Sequence, residues 1–136
     1  MENPNDGVSG VAVPPQVAMF LAGKQDISTF RHADHVRIAF EMLRRHSFLS
    51  TASLYSQQLK RMTASIGKPM AYNETVTIAF LAIISERLAK GQYETFEAFA
   101  ADNPEVLEKT LLTKWYPQER LNSDIARQTF ILPPRE

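Results

Sequence analysis

Residues 30–46 of this chain read FRHADHVRIAFEMLRRH, and this stretch decides the predicted fold. On a helical wheel, at about 100° per residue, the apolar side chains and all 3 histidines of the protein share one face. The opposite face carries the charged side chains of Asp34, Arg37, Glu41, Arg44 and Arg45. The pattern predicts one amphipathic helix with a solvated charged face, on which Arg37 and Glu41 pair at i,i+4. His32 and His35 then lie on the buried side of its first turns.

Two further long helices are predicted downstream. The first begins at a cap residue, Ser50 or Thr51, and ends before Gly67. The next begins after Asn73, which is a good N-cap, and is closed by Gly91. Its middle is apolar almost all round, so we expect it to be the most buried helix of the fold.

Shorter elements surround these three helices. A short apolar helix or strap is predicted before Gly23, another helix after Thr95, and a third from Asn103 through Leu112. A last turn follows Ser123, and residues 130–134 form an extended apolar tail. The fold class is therefore all-α, a compact bundle of three long helices plus two or three short helices. We expect an irregular N-terminal arm over residues 1–25 and a single helical domain over residues 26–136.

Composition narrows the classes of function. The formal net charge is +0, which argues against nucleic acid and membrane surfaces as partners. The chain has 0 cysteines, which excludes disulfides, zinc fingers and thiol catalysis. The first residues lack the positive start of a secretory signal, and no apolar stretch is long enough to span a bilayer. We therefore expect a cytoplasmic protein. A small molecule and a second copy of the chain, forming a homodimer, stay open as partners.

One polar pocket is predicted where the first and third long helices begin. Helices that run up, down and up place these two starts at the same end of the bundle. His32 and His35 open the buried face of one helix, and Glu74 and Thr77 open that of the other. Tyr72 and Asn73 precede them. These six residues are the candidate ligand-binding site.

Several spaced motifs in this chain agree in order with a known pattern. They are Phe30-x-His32-x-x-His35-Val36-Arg37, then Tyr72-Asn73-Glu74-Thr75, then Trp115-Tyr116 and Ser123-x-x-Ala126-Arg127. Together they resemble an uncharacterised family of small all-helical bacterial proteins, over roughly residues 30–134. In that family the position of Asn73 is usually histidine, so this chain lacks one imidazole of the family pattern. The resemblance implies a polar site and no particular reaction.

Three functions remain open at this point. The first is binding of a small molecule or of a divalent metal, for which His32, His35 and Glu74 are the candidate ligands. The second is a protein-interaction or regulatory module, in which both histidines are structural and bonded to Glu74, Thr77 or backbone. The third is an enzyme in which a histidine acts as acid–base, tuned by Glu74. Whether the chain is an enzyme is left open.

Overall fold

The computed structural model describes residues 14–135, apart from the side chain of Ile27, and every regular element in that range is helical. The α-helices are α1 (Pro15–Leu21), α2 (His32–Arg45), α3 (Phe48–Ser65), α4 (Glu74–Ala89), α5 (Phe96–Asp102), α6 (Gln118–Leu121) and α7 (Asp124–Gln128). Short 3-10 helices occupy Ile27–Thr29, Pro69–Ala71, Pro104–Leu107 and Leu111–Lys114. Within the described range, no helix combines the length and the apolar character needed to cross a bilayer. The predicted all-α class is confirmed.

Helices α2, α3 and α4 form the centre of the fold. They contain 14, 18 and 16 residues, and the other described α-helices contain at most 7. Helix α4 contacts both α2 and α3, and α7 packs on its outer side. The main core forms between the three long helices, around side chains such as Ile38, Met42, Leu81 and Ile84. This arrangement places the starts of α2 and α4 near each other.

Helix α1 packs into the core. Val17 and Phe20 are buried, and the Phe20 ring lies 5.9 Å from that of Phe30 and 5.3 Å from that of Tyr55. Gly23 follows with φ of +75°, a left-handed conformation that glycine adopts without strain. The predicted arm over residues 1–25 thus contains a packed helix, while residues 1–13 lie outside the described residues.

Helix α2 is the most buried helix, and its charged face is not solvated as predicted. Glu41 and Arg45 are each only 8% exposed, and Arg45 Nη1 lies 2.8 Å from Glu41 Oε1. Arg37 pairs with Glu97 at 2.9 Å instead of with Glu41. Helix α5 covers the part of this face around Arg37 and Phe40, because the Arg37 guanidinium lies over the ring of Phe96 and both aromatic rings of α5 pack against Phe40. The expectation that the third long helix is the most buried is also wrong, because α4 keeps part of its surface open.

Two of the predicted helix starts differ in outcome. Asn73 caps α4 as expected, since its Oδ1 accepts the backbone N–H of Val76 at 3.0 Å. Helix α3 begins earlier than predicted, because the Oγ of Ser47 accepts the backbone N–H of Ser50 at 3.1 Å. Thr51 lies in the first turn and is fully buried. An earlier hydroxyl therefore does the capping.

The helix predicted from Asn103 through Leu112 is not an α-helix. Two 3-10 helices occupy this region, Pro104–Leu107 and Leu111–Lys114. The side chain of Asn103 does not cap them, because its Oδ1 accepts from Arg87 and its Nδ2 donates to the carbonyl of Phe99. With its capping oxygen used elsewhere, the segment follows the surface of α2 and α4 in short turns.

The C-terminal tail lies against α4. Thr75 is fully buried; its hydroxyl donates to the carbonyl of Thr129 at 2.8 Å and accepts the N–H of Ile131 at 3.1 Å. The hydroxyl of Tyr116 donates to the carbonyl of Ile131 at 2.8 Å. One buried threonine therefore holds the extended tail, residues 130–134, that the sequence predicts.

Candidate functional site

A cavity of about 680 Å³ lies between α2, α3 and α4, at the end where α2 and α4 begin. Its walls are mainly apolar and include Val36, Ala39, Leu59, Val76, Phe80 and Leu81. Polar groups enter from the N-terminal turns of α2 and α4, from α3 and from the loop after Pro104–Leu107. The volume falls in the range of roughly 300–1,000 Å³ that is usual for small-molecule sites.

The structure brings together five of the six predicted site residues. His32, His35, Tyr72, Asn73 and Thr77 all line the cavity. This result follows from the shared orientation of α2 and α4, whose first turns face one another across the bundle.

Glu74 does not line the cavity. Its Oε1 accepts the hydroxyl of Tyr72 at 2.5 Å and lies 3.9 Å from the ammonium of Lys60 on α3. Burial and this hydrogen bond raise the pKa of Tyr72 above its ordinary value. Glu74 therefore serves as the partner of a cavity residue, and its side chain is partly buried.

The candidate metal ligands do not form a metal site in the described part of the chain. No group of three or more histidine, aspartate or glutamate side chains among residues 14–135 is placed to hold a metal ion. His32, His35 and Glu74 instead bond to Val106, Tyr55 and Tyr72 respectively. The polar pocket survives without the predicted ligand set.

His35 is held by Tyr55 of α3. The hydroxyl of Tyr55 donates to the backbone carbonyl of His35 at 3.1 Å and lies 3.3 Å from Nδ1 of the same residue. Only the tautomer with the proton on Nδ1 satisfies both contacts at once, because Nδ1 then donates to the hydroxyl oxygen while the single hydroxyl proton goes to the carbonyl. The other ring nitrogen, Nε2, then presents a lone pair and has no hydrogen-bond partner among residues 14–135.

The imidazole of His35 is neutral at physiological pH. Burial lowers its pKa to about 4, and the charges of His32 and Lys109 act in the same direction. The ring of Phe30 lies 4.2 Å from it, centroid to centroid, and accounts for part of that burial. His35 is thus a neutral hydrogen-bonding group in a mainly apolar cavity.

His32 ties a distant loop to the start of α2. Its Nε2 donates to the backbone carbonyl of Val106 at 3.1 Å, across 74 residues of sequence. Burial lowers its pKa as well, so it too favours the neutral form. The ring packs edge-on against Phe80 at 5.0 Å. The bond from His32 to Val106 positions the segment that carries Lys109 beside the cavity.

Asn73 and Thr77 use their polar atoms within the fold. Asn73 caps α4 and donates its Nδ2 to the carbonyl of Leu121 at 2.7 Å. The hydroxyl of Thr77 donates to the carbonyl of Asn73 at 2.8 Å, the usual bond of a helical threonine. Both residues shape the wall, and the polar atoms that stay available come chiefly from the histidines.

Sequence reasoning missed Arg31, which adjoins His32, and two cavity residues from other segments, Tyr55 and Lys109. Tyr55 stands in the apolar stripe of the second long helix, where a tyrosine is indistinguishable from ordinary core packing. Lys109 follows a 3-10 helix and shows no signal in the sequence. Both come from segments far from residues 30–46, and only the packing of α3 and of residues 104–109 brings them to the site.

Comparison with known proteins identifies no relative: no protein-family model, no curated protein and no solved structure matches this chain.

Proposed function

We propose that this domain binds a small, largely apolar molecule in the cavity between α2, α3 and α4. The observation that carries the proposal is the cavity itself, about 680 Å³ of space with apolar walls and a few polar groups at one end. Ligand sites in proteins combine such walls with a small number of polar atoms that orient the ligand.

The two histidines contribute differently to binding. His32 is committed to the carbonyl of Val106, so its role is to shape the cavity. His35 has its Nδ1 side held by Tyr55, which leaves Nε2 as an oriented acceptor for a hydroxyl or N–H of the ligand. A fixed, neutral acceptor costs little to desolvate, and it adds selectivity without adding charge.

The cavity separates this proposal from the alternatives. A protein-interaction module would favour an exposed apolar patch, whereas a concave pocket with converging polar groups favours ligand binding. An enzyme that used His35 as acid–base would need a pKa close to its working pH. The pKa of about 4 supports hydrogen bonding by His35 over proton transfer near neutrality.

Binding of N-phenyl-1-naphthylamine tests the proposal. This uncharged dye fluoresces strongly in apolar surroundings, so a saturable increase with the purified protein is the expected result. Val76 lines the cavity and is only partly buried, so Val76→Phe fills ligand space with little strain. We expect this substitution to weaken dye binding about tenfold or more, equivalent to about 1.4 kcal/mol.

Ile125→Phe is the matched control, because Ile125 is exposed on α7 and lies away from the cavity. It should bind the dye as the wild type does, and thermal unfolding should show that both variants are folded. Absence of saturable binding to the wild type would overturn the proposal. Equal binding to the wild type and to Val76→Phe would also overturn it, because the dye would then occupy some other surface.

A further inference from the structure

We infer that the ligand of this cavity is an amphipathic anion, with an elongated apolar body inside and a carboxylate at the mouth between Arg31 and Lys109. The inference rests on the proposed function and adds the chemical class of the ligand. Three observations support it: the charges of the lining residues, the extent of the apolar walls, and the hydrogen bond that fastens the loop carrying Lys109 beside the cavity.

The charged side chains at the cavity are all of one sign. Arg31 and Lys109 line it, and none of the lining residues in the described chain is aspartate or glutamate. Neither cation has an ion-pair partner among residues 14–135, although Arg37 and Lys60 on the neighbouring helices are both paired. Two cations without an acid among the lining residues favour a negatively charged ligand group.

Two carboxylates next to lining residues in the sequence are hydrogen-bonded within the fold. Asp34 accepts the side-chain amide of Gln16 at 3.0 Å and the backbone N–H of Arg31 at 2.9 Å. Glu74 accepts the hydroxyl of Tyr72 and lies near Lys60. Both acids are therefore hydrogen-bonded within the fold, and neither of them lines the cavity or forms an ion pair with Arg31 or Lys109.

The loop that carries Lys109 is fastened by a specific contact. It is joined to the first turn of α2 through the bond from His32 to the carbonyl of Val106. The positive charge of Lys109 helps to lower the pKa of both His32 and His35, which places that charge at the histidine end of the cavity. The dipoles of α2 and α4, which both begin at this end, add a smaller positive potential.

The apolar walls extend away from this charged mouth. Thr77 and Ile84 both line the cavity, and seven residues of helix correspond to about 10 Å along the axis. At the inner end the lining consists of Ala39, Leu81 and Ile84, which are all buried and apolar. A ligand that satisfies both ends has its charge at the mouth and an apolar chain along the helices.

Competition against N-phenyl-1-naphthylamine tests the charge preference. The competitors are decanoate, 1-decanol and decylammonium, which share one apolar chain length and differ in the charge of the head group. At low ionic strength we expect decanoate to displace the dye at a concentration about tenfold lower than decylammonium. Lys109→Gln should weaken decanoate about threefold, and adding Arg31→Gln should bring the loss to about tenfold, because each partly exposed ion pair contributes modestly. Displacement by 1-decanol should stay unchanged in both variants.

Lys114→Gln is the matched control, because Lys114 is exposed near Lys109 in sequence and does not line the cavity. It should keep the wild-type preference, whereas Lys109→Glu should shift the preference toward decylammonium. Displacement by decylammonium as effective as by decanoate would overturn the inference while leaving the proposed function intact. Equal losses for decanoate and 1-decanol in Lys109→Gln would do the same. Failure of the dye itself to bind would instead overturn the proposed function.

Discussion

Replacing His35 with glutamine is expected to make folding stability less sensitive to acid. Burial, with Phe30 packed on the ring, lowers the pKa of His35 to about 4. The charges of His32 and Lys109 contribute to this lowering, while the charge of Asp34 opposes it. In the unfolded chain the imidazole titrates near its ordinary value of 6.5. Between pH 6.5 and pH 4 the unfolded state binds a proton at this imidazole and the folded state does not. The contribution of His35 to stability is therefore fully present above pH 6.5 and is lost as the pH falls toward 4.

The size of the effect follows from these two values. One unit of pKa corresponds to about 1.4 kcal/mol, so neutral His35 accounts for about 3 kcal/mol of stability that disappears by pH 4. Between pH 7 and pH 5 the loss is about 2 kcal/mol. Glutamine at this position retains an amide that can bond to Tyr55 and has no proton equilibrium in this range.

Urea denaturation at pH 7 and pH 5 measures the difference. The free energy of unfolding of the wild type should fall by about 2 kcal/mol more than that of His35→Gln. His46→Gln is the control, because it removes an imidazole about 16 Å along the same helix and leaves His35 in place. Equal losses in the wild type and in His35→Gln, or an NMR titration of His35 near pH 6.5, would refute the reasoning.

Two further predictions concern buried polar contacts. Thr75→Val removes the hydroxyl that bonds to Thr129 and Ile131. We expect it to destabilise the protein by about 1–3 kcal/mol, because two backbone groups lose their partner, and to increase amide exchange over residues 129–132 in hydrogen-exchange measurements. Glu41→Gln removes the carboxylate that lies 2.8 Å from the buried guanidinium of Arg45 and should reduce the free energy of unfolding in urea by about 3 kcal/mol.

Exposed positions supply the controls for both. Thr113→Val removes a hydroxyl that bonds only within its own turn and should leave exchange in the tail unchanged. Glu86→Gln breaks a solvent-exposed pair with Lys90 and should change stability by no more than about 0.5 kcal/mol. If Thr75→Val and Thr113→Val behave alike, the buried threonine does not hold the tail. If Glu41→Gln lowers the free energy of unfolding as little as Glu86→Gln does, burial does not make the Glu41–Arg45 pair more important for stability than an exposed pair.

Sequence reasoning succeeds best where local interactions decide the outcome. The cap at Asn73 and the stop at Gly67 depend on the backbone of a few neighbouring residues, and both appear as predicted. It fails at Asn103, because the capping oxygen of that residue is taken by Arg87 of another helix. It fails likewise at Glu41, which is buried together with Arg45 instead of lying on a solvated face.

The candidate site divides along the same line. The wheel places His32 and His35 inward, and the topology of three helices brings them to the level of Asn73 and Thr77. The spacing of Glu74 and Thr77 suggests that they share a face. In the structure, however, Glu74 does not line the cavity, because its carboxylate accepts the hydroxyl of Tyr72 and lies near the ammonium of Lys60.

The sequence by itself therefore determined the helical class, most of the long helix boundaries and the inward direction of two histidines. These features depend on the spacing of apolar residues along the sequence and on hydrogen bonds made within one or two helical turns. Only the tertiary structure decided that His35 is neutral, that its Nε2 has no partner among residues 14–135 and that Lys109 lines the cavity. The first depends on burial, and the other two depend on contacts with Tyr55 and Val106, which residues 30–46 meet only once the chain is folded.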